Sequence, residues 1–189
     1  VNPTRDIDVL IRLQMHDDWH TYWSNPGDAG LATRVKWQLP KGYAVDEPVL
    51  SRPRKFMFDG LVQYGYDDVA YLRTKIKPRP ENLPDGSRKY FSAAVSWLAC
   101  KDVCVPETVK LDFVLPVTSK PAKIAPEWLA EDAAASTRFA QRPDWKAVYE
   151  VKTGKRLLIN IDSHGLDLAK NVKKILFIPH QKDIIANMA

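Results

Sequence analysis

In the stretch DIDVLIRLQ, apolar Ile7, Val9, Ile11 and Leu13 alternate with polar Asp6, Asp8, Arg12 and Gln14. Successive side chains of a strand point to opposite faces, so a period of two predicts a strand with one face buried. TRVKWQL repeats the pattern with Val35, Trp37 and Leu39, and VAYLRTKI carries it less regularly. SRKYFSAAVSWLAC and ETVKLDFVLPV are two further runs rich in aromatic and β-branched residues, the types that fit a pleated surface. Turn chemistry separates the runs at Asn25-Pro26-Gly27-Asp28, Pro40-Lys41-Gly42, Asp59-Gly60 and Pro84-Asp85-Gly86. Short strands at this spacing predict a mainly β chain that opens with an immunoglobulin-like β-sandwich over residues 1–118.

Residues 119–144 change character. SKPAKIAP reads as a Pro and Lys linker, and EWLAEDAAASTRFA is rich in helix formers, with Trp128, Leu129, Ala133 and Phe139 at helical spacing. A short connecting helix over 127–140, closed by Pro143, is expected. WKAVYEVKTGKRLLINID then reads as two strands joined at Thr153-Gly154, and KKILFIPH as one more. Residues 145–189 are therefore expected to be the opening strands of a second, incomplete β domain, or extra strands on the first.

Composition narrows the classes. With 45% hydrophobic residues, six Trp, seven Tyr and six Phe in 189 residues, the chain has the material for a packed core. The net charge of +5 is spread along the sequence rather than gathered into a run, which argues against a nucleic-acid partner. No apolar stretch reaches the roughly 18–20 residues that cross a bilayer, so membrane attachment is expected only through a part of the protein outside this sequence. The opening Val-Asn-Pro and the closing Asn-Met-Ala read as cuts in something longer.

Candidate chemistry lies in SWLACKDVCVPE, which holds Cys100 and Cys104, the only two cysteines. A strand entering Cys100, a tight loop of Lys101-Asp102-Val103 and a strand leaving Cys104 bring the two sulfurs within bonding reach. Three uses compete. As a staple the pair closes so short a loop that chain entropy yields only roughly 2 kcal/mol. As metal ligands two thiolates fill half a tetrahedral shell, and His16, His20, His164 and His180 stand at no recognisable ligand spacing; these histidines are expected to be surface or packing residues. As a redox pair, Lys101 favours a thiolate while Asp102 opposes it, so local charge does not decide. Staple and redox pair both remain open on the residues alone.

Three longer motifs bear on that choice: WHTYWSNPGDAGLATRVKWQLPKGY at 19–43, FDGLVQYGYDD at 58–68 and WLACKDVCVPE at 97–107. In this order they resemble the amino-terminal periplasmic domain of the DsbD-type thiol:disulfide interchange proteins, in particular the ScsB-like branch. The resemblance covers residues 5 to about 118, and FIPHQKDIIANMA weakly resembles part of the second β domain of that branch. It implies an immunoglobulin-like protein-disulfide reductase domain in the periplasm, without a cofactor, whose Cys100/Cys104 pair takes electrons from a membrane-embedded or thioredoxin-like partner domain. Oxidised periplasmic proteins would receive them. It also implies an aromatic cap over the disulfide, with Phe58 in the cap position, Phe56, Tyr64 and Tyr66 as neighbours, and Tyr22 or Trp23 near the sulfurs. The cysteines stand closer together here than in better known members. The alternative is a non-catalytic β-sandwich, a binding or structural module whose bridge is inert. Trp19, Trp23 and Trp37 are otherwise expected in the core, Asn25, Gly27, Asp28 and Gly30 in a turn, and Pro106 as a constraint on the strand leaving Cys104.

Overall fold

The structure is a computed structural model that describes residues 5–79, 86–120, 123–140, 145–152, 156–165, 167, 170 and 172–182. The turn residues Pro84, Asp85, Thr153 and Gly154, the breaker Pro143, and both chain ends lie outside the described residues.

Alternating DIDVLIRLQ forms β1 (Ile7–Gln14), followed by β2 (Thr21–Gly27), β3 (Arg34–Gln38), β4 (Tyr43–Val45), β5 (Val49–Leu50), β6 (Arg54–Phe58) and β7 (Leu61–Tyr66). Then come β8 (Val69–Pro78), β9 (Arg88–Cys100), β10 (Cys104–Pro116), α1 (Pro126–Ser136), β11 (Lys146–Lys152) and β12 (Arg156–Asp162). One unit comprises residues 1–139 with 179–189, and a second comprises 140–178.

The first unit is a β-sandwich. In one sheet β8 lies between β1 and β4 and also pairs with β5; in the facing sheet β9 lies between β10 and β3, all antiparallel. Ile11, Leu72 and Val95 meet between these sheets, flanked by Val35, Trp37 and Trp97, and a second cluster joins Tyr43, Ile76 and Phe91 to Phe113. Phe91 and Phe113 stack with centroids 5.3 Å apart, across the β9–β10 ladder that pairs them.

VAYLRTKI alternates weakly because β8 is covered on both faces, as strands with cover on each side are. Leu72 and Ile76 point into the sandwich, while Val69 and Tyr71 point outward to Ala135 and Phe139. Helix α1 is thus docked on the outer face of β8. Tyr71 Oη donates to Glu131 at 2.8 Å, and Arg73 reaches Asp132 at 2.6 Å and Ser136 at 3.0 Å, with its guanidinium 4.6 Å above the Phe139 ring. The helix starts at Pro126, but its buried face differs from the expected one: Trp128, Leu129 and Ala133 are exposed, and small Ala135 lets the backbone approach β8.

A third sheet, β2-β7-β6, holds one of the expected turns and turns another into a strand irregularity. Asp59-Gly60 does turn the β6–β7 hairpin, with φ of 49° and 75°, the doubly left-handed pair that favours Asp-Gly in two-residue hairpin loops. Asn25-Pro26-Gly27-Asp28, expected as a turn between strands, instead lies mostly inside β2 as an irregularity: Tyr22 pairs with Gly65, yet Gly27 pairs with Gln63. Pro26 has no N–H for the ladder, Asn25 Oδ1 accepts from Gly27 N at 3.1 Å, and Asp28 takes up Val62 N at 2.9 Å, so turn chemistry here bends a strand without ending it.

In the second unit β11 and β12 pair with each other from Lys146↔Asp162 to Lys152↔Arg156, and Val148, Tyr149 and Val151 are exposed. KKILFIPH, expected as another strand, has no strand structure. Its end is held another way: Asn25 Nδ2 donates to the carbonyls of Pro179 at 2.7 Å and Gln181 at 3.3 Å, and His180 packs on Trp23 with centroids 4.7 Å apart, all within the first unit.

Candidate functional site

The β9–β10 hairpin turns through Lys101-Asp102-Val103 and places Cys104 directly opposite Cys100. A disulfide joins them, with Cα atoms 4.1 Å apart. On the other side of β9, His20 and Cys100 form an isolated antiparallel bridge in which each N–H donates to the other's carbonyl at 2.9 Å. Opposed residues of antiparallel ladders alternate between hydrogen-bonded and non-hydrogen-bonded pairs, and side chains come closest in the latter. Because His20 occupies both backbone groups of Cys100, Cys104 faces it as the non-hydrogen-bonded partner. That is why two cysteines four positions apart can bond at a hairpin end.

The two sulfurs live in different surroundings. Cys100 is fully buried, whereas Cys104, first residue of the edge strand β10, is exposed. Lys101, in the turn, is held by Asp18 at 3.0 Å, a bond that raises its ammonium above the ordinary value, so much of the local positive charge is already paired.

Tyr22 covers the buried sulfur. Its Oη donates to Cys100 Sγ at 3.1 Å and lies 3.2 Å from His20 Nε2. Trp23 points to the opposite face of β2, against His180, because neighbours on a strand alternate; of the two expected aromatics only Tyr22 reaches the disulfide. Gly30, at φ +105°, makes room for the ring: a Cβ there would stand 2.2 Å from Tyr22 Cε1. Gly65 allows the ladder itself, since its Cβ would meet Thr21 O at 1.9 Å.

The expected cap residues divide into two groups. Phe56 and Phe58, on one face of β6, set their rings 5.1 and 5.2 Å from the His20 imidazole, and so reach the disulfide region through that ring. Phe58 is 41% exposed. Tyr64 and Tyr66 are buried in the body of the unit on β7; Tyr66 Oη donates to Ser51 O at 2.7 Å. Burial raises both phenols above their ordinary value, with the Asp28 carboxylate adding to the effect at Tyr64. Burial likewise raises Tyr22 and lowers His20, whose ring is pulled the other way by Gln63 and the Asp67 carboxylate. Among the described residues no three His, Cys, Asp or Glu side chains converge as a metal-ligand set.

Sequence reasoning placed His20 among ordinary packing residues and overlooked its bond to Tyr22. The available signal was the spacing of His20-Thr21-Tyr22, which puts the imidazole and the phenol on one face of an extended segment.

The DsbD_N family, described as "Thiol:disulfide interchange protein DsbD, N-terminal", matches residues 2–116. Among solved structures, the chain is similar to the N-terminal periplasmic domain of ScsB from Proteus mirabilis at 17% identity and a TM-score of 0.53, covering 80% of this chain and 66% of that one. It thus spans just under two thirds of that relative's length, and the likeness supports the sandwich fold. A second similar structure is the DsbD N-terminal domain from Neisseria meningitidis in the reduced form, at 15% identity and a TM-score of 0.38, covering 61% of this chain and 82% of that one. No curated protein sequence matches. No described helix is long and apolar enough to cross a membrane. With its buried and exposed cysteines at the end of a sandwich hairpin, and with the family match extending over more than half of its length, the chain belongs to the DsbD N-terminal domain family.

Proposed function

We propose that this chain is a periplasmic thiol–disulfide exchange domain, and that the Cys100–Cys104 bond opens and closes as electrons pass through it. The observation that carries the reading is the asymmetry of the two sulfurs. Cys104 is exposed to an incoming thiolate, while Cys100 is buried beneath the Tyr22 hydroxyl, which is placed to stabilise a departing thiolate. An inert staple has no use for such a donor.

The chemistry follows from this asymmetry. A partner thiolate attacks Cys104 Sγ, the bond to Cys100 breaks, and its electron pair leaves on Cys100 Sγ, giving a mixed disulfide. The partner's second thiolate then displaces Cys104, and the pair is left reduced by two electrons. Toward an oxidised client the steps reverse: the Cys104 thiolate attacks the client disulfide and Cys100 resolves the mixed bond. The electron donor is a membrane-embedded or thioredoxin-like domain of the same protein, and the acceptors are oxidised periplasmic proteins. Phe58, with Phe56 beside it, acts as the cap that keeps small oxidants from the reduced pair. Residues 1–118 form the body of the exchange domain, 119–139 continue it with a helix resting on its surface, 140–178 open a second β unit, and the chain returns to the first unit from 179. The exposed apolar side chains of the β11–β12 hairpin favour further cover of that kind.

Equilibration of the chain with glutathione buffers, read by mass after alkylation, tests the reading. An exchanging pair titrates above about −300 mV, where structural bridges of exported proteins do not reach. A pair that stays oxidised throughout, and traps no thioredoxin-like partner when Cys100 is replaced by Ser, leaves only the inert module.

A further inference from the structure

His20 has no part in the exchange steps above, yet its imidazole stands behind the hydroxyl that touches the buried sulfur. Nε2, Oη and Sγ lie in a row at 3.2 and 3.1 Å, and His20, Tyr22 and Cys100 are 6%, 2% and 0% exposed. A phenol has one proton to donate and lone pairs to accept with. Beside a disulfide or a thiolate the row runs from Nε2–H to Oη and from Oη–H to sulfur. Beside a Cys100 thiol it runs the other way, from S–H to Oη and from Oη–H to Nε2. Reversing the row moves one proton between sulfur and imidazole, with no need of solvent, and the Phe56 and Phe58 rings pack against the imidazole.

We propose that His20 accepts and returns the proton of Cys100 through the Tyr22 hydroxyl, as the positioning residue that readies the buried thiol. This inference rests on the exchange reading. In the resolving step Cys100 gives its proton to Tyr22 Oη while the Oη proton passes to His20 Nε2. The Cys100 sulfur attacks Cys104 Sγ, the bond between Cys104 and the client breaks, and its electron pair leaves on the client sulfur. The imidazolium then protonates that thiolate or releases its proton to solvent. When Cys100 is instead the leaving group, the same proton returns along the same row.

The surroundings suit this duty. A free thiol ionises near pH 8.5 and apolar burial moves it higher, so Cys100 needs a base at neutral pH. Burial holds His20 below its ordinary value, leaving the ring neutral and able to accept, while Gln63 and Asp67 favour the protonated form that follows. Of the charged groups on adjoining elements, Asp67 is bonded to Arg54 of β6 at 2.5 Å and Lys101 beyond β9 is bonded to Asp18, so neither cation is free to replace the imidazole.

The test uses the reduced full chain and oxidised glutathione, with acid quench and mass detection of the glutathione adduct. Decay of the adduct measures the resolving step. In the wild type this rate is expected to be level above about pH 6.5. In His20→Gln it should be roughly ten- to a hundredfold slower at pH 7 and should climb about tenfold per pH unit toward the ionisation of Cys100 itself. Tyr22→Phe, which removes a single oxygen, should give the same profile and serves if His20→Gln fails to fold. A variant profile parallel to that of the wild type, whether or not its rate is lower, overturns the relay while exchange stands. A wild type that never forms the adduct overturns the exchange reading, and the relay with it.

Discussion

Replacing Gly30 by Ala tests the site from outside it. The added methyl carbon would stand 2.2, 2.3 and 2.6 Å from Tyr22 Cε1, Cδ1 and Cζ. Carbon atoms rest at about 3.5–4.0 Å, so ring and loop must separate by more than roughly 1 Å. Two costs combine. The left-handed backbone at φ +105° is unfavourable to any side chain by about 1–2 kcal/mol, and overpacking a buried ring adds roughly 1–3 kcal/mol. Gly60→Ala isolates the first cost, because Gly60 is also left-handed, at φ +75°, with nothing within 4 Å of its missing Cβ. Urea unfolding of the oxidised chains should therefore show Gly30→Ala less stable than Gly60→Ala by about 1–3 kcal/mol. The displaced ring also withdraws its hydroxyl from Cys100. A hydrogen bond to a thiolate is worth roughly 1.5–3 kcal/mol, so, measured at a pH above the ionisation of Cys100, the reduction potential of Gly30→Ala should fall by about 30–65 mV while that of Gly60→Ala stays put. Equal stability of the two variants, or an unmoved potential in Gly30→Ala, refutes the claim that Gly30 exists to seat Tyr22.

Further outcomes follow from the same contacts. Phe58→Ala removes a half-covered ring worth roughly 1.4 kcal/mol of apolar cover, and alkylation of the reduced pair by a small reagent should quicken about tenfold; an unchanged rate sinks the cap. Tyr66→Phe strands the buried Ser51 carbonyl and should cost about 1–3 kcal/mol in urea unfolding, a loss that a merely apolar role for this ring would not produce. His20 is lowered in the folded chain, so below pH 6.5 the unfolded chain binds more protons and stability declines with acidification. The urea midpoint should drop between pH 7 and 5, and less so in His20→Gln; equal drops assign the effect elsewhere.

The period-two runs made the sandwich legible because each strand that alternates cleanly, such as β1, has one wet face. Where cover is two-sided, as on β8, alternation fades, and only the structure tells which apolar residues meet the helix. The helix itself was plain from its composition, but its buried face was not, since Ala135 is chosen for its small size and Trp128 for nothing that shows in burial. Cys100 and Cys104 stood out by rarity and spacing. His20 did not, because its place beside the cysteines depends on pairing with Cys100, eighty positions away, across an isolated bridge. Asn25-Pro26-Gly27 misled for a physical reason: the hydrogen bonds that close a turn also sustain an irregularity within a strand.

The clasp between Asn25 and the carbonyls of Pro179 and Gln181 makes the first unit discontinuous in sequence. Residues 140–178 are thereby an excursion tethered at both ends, and the stretch matched by the family falls short of the piece that folds together. Shortening the chain to that stretch would leave a buried carboxamide facing the void where its acceptors had been, on the very strand that seats the phenol over the sulfur.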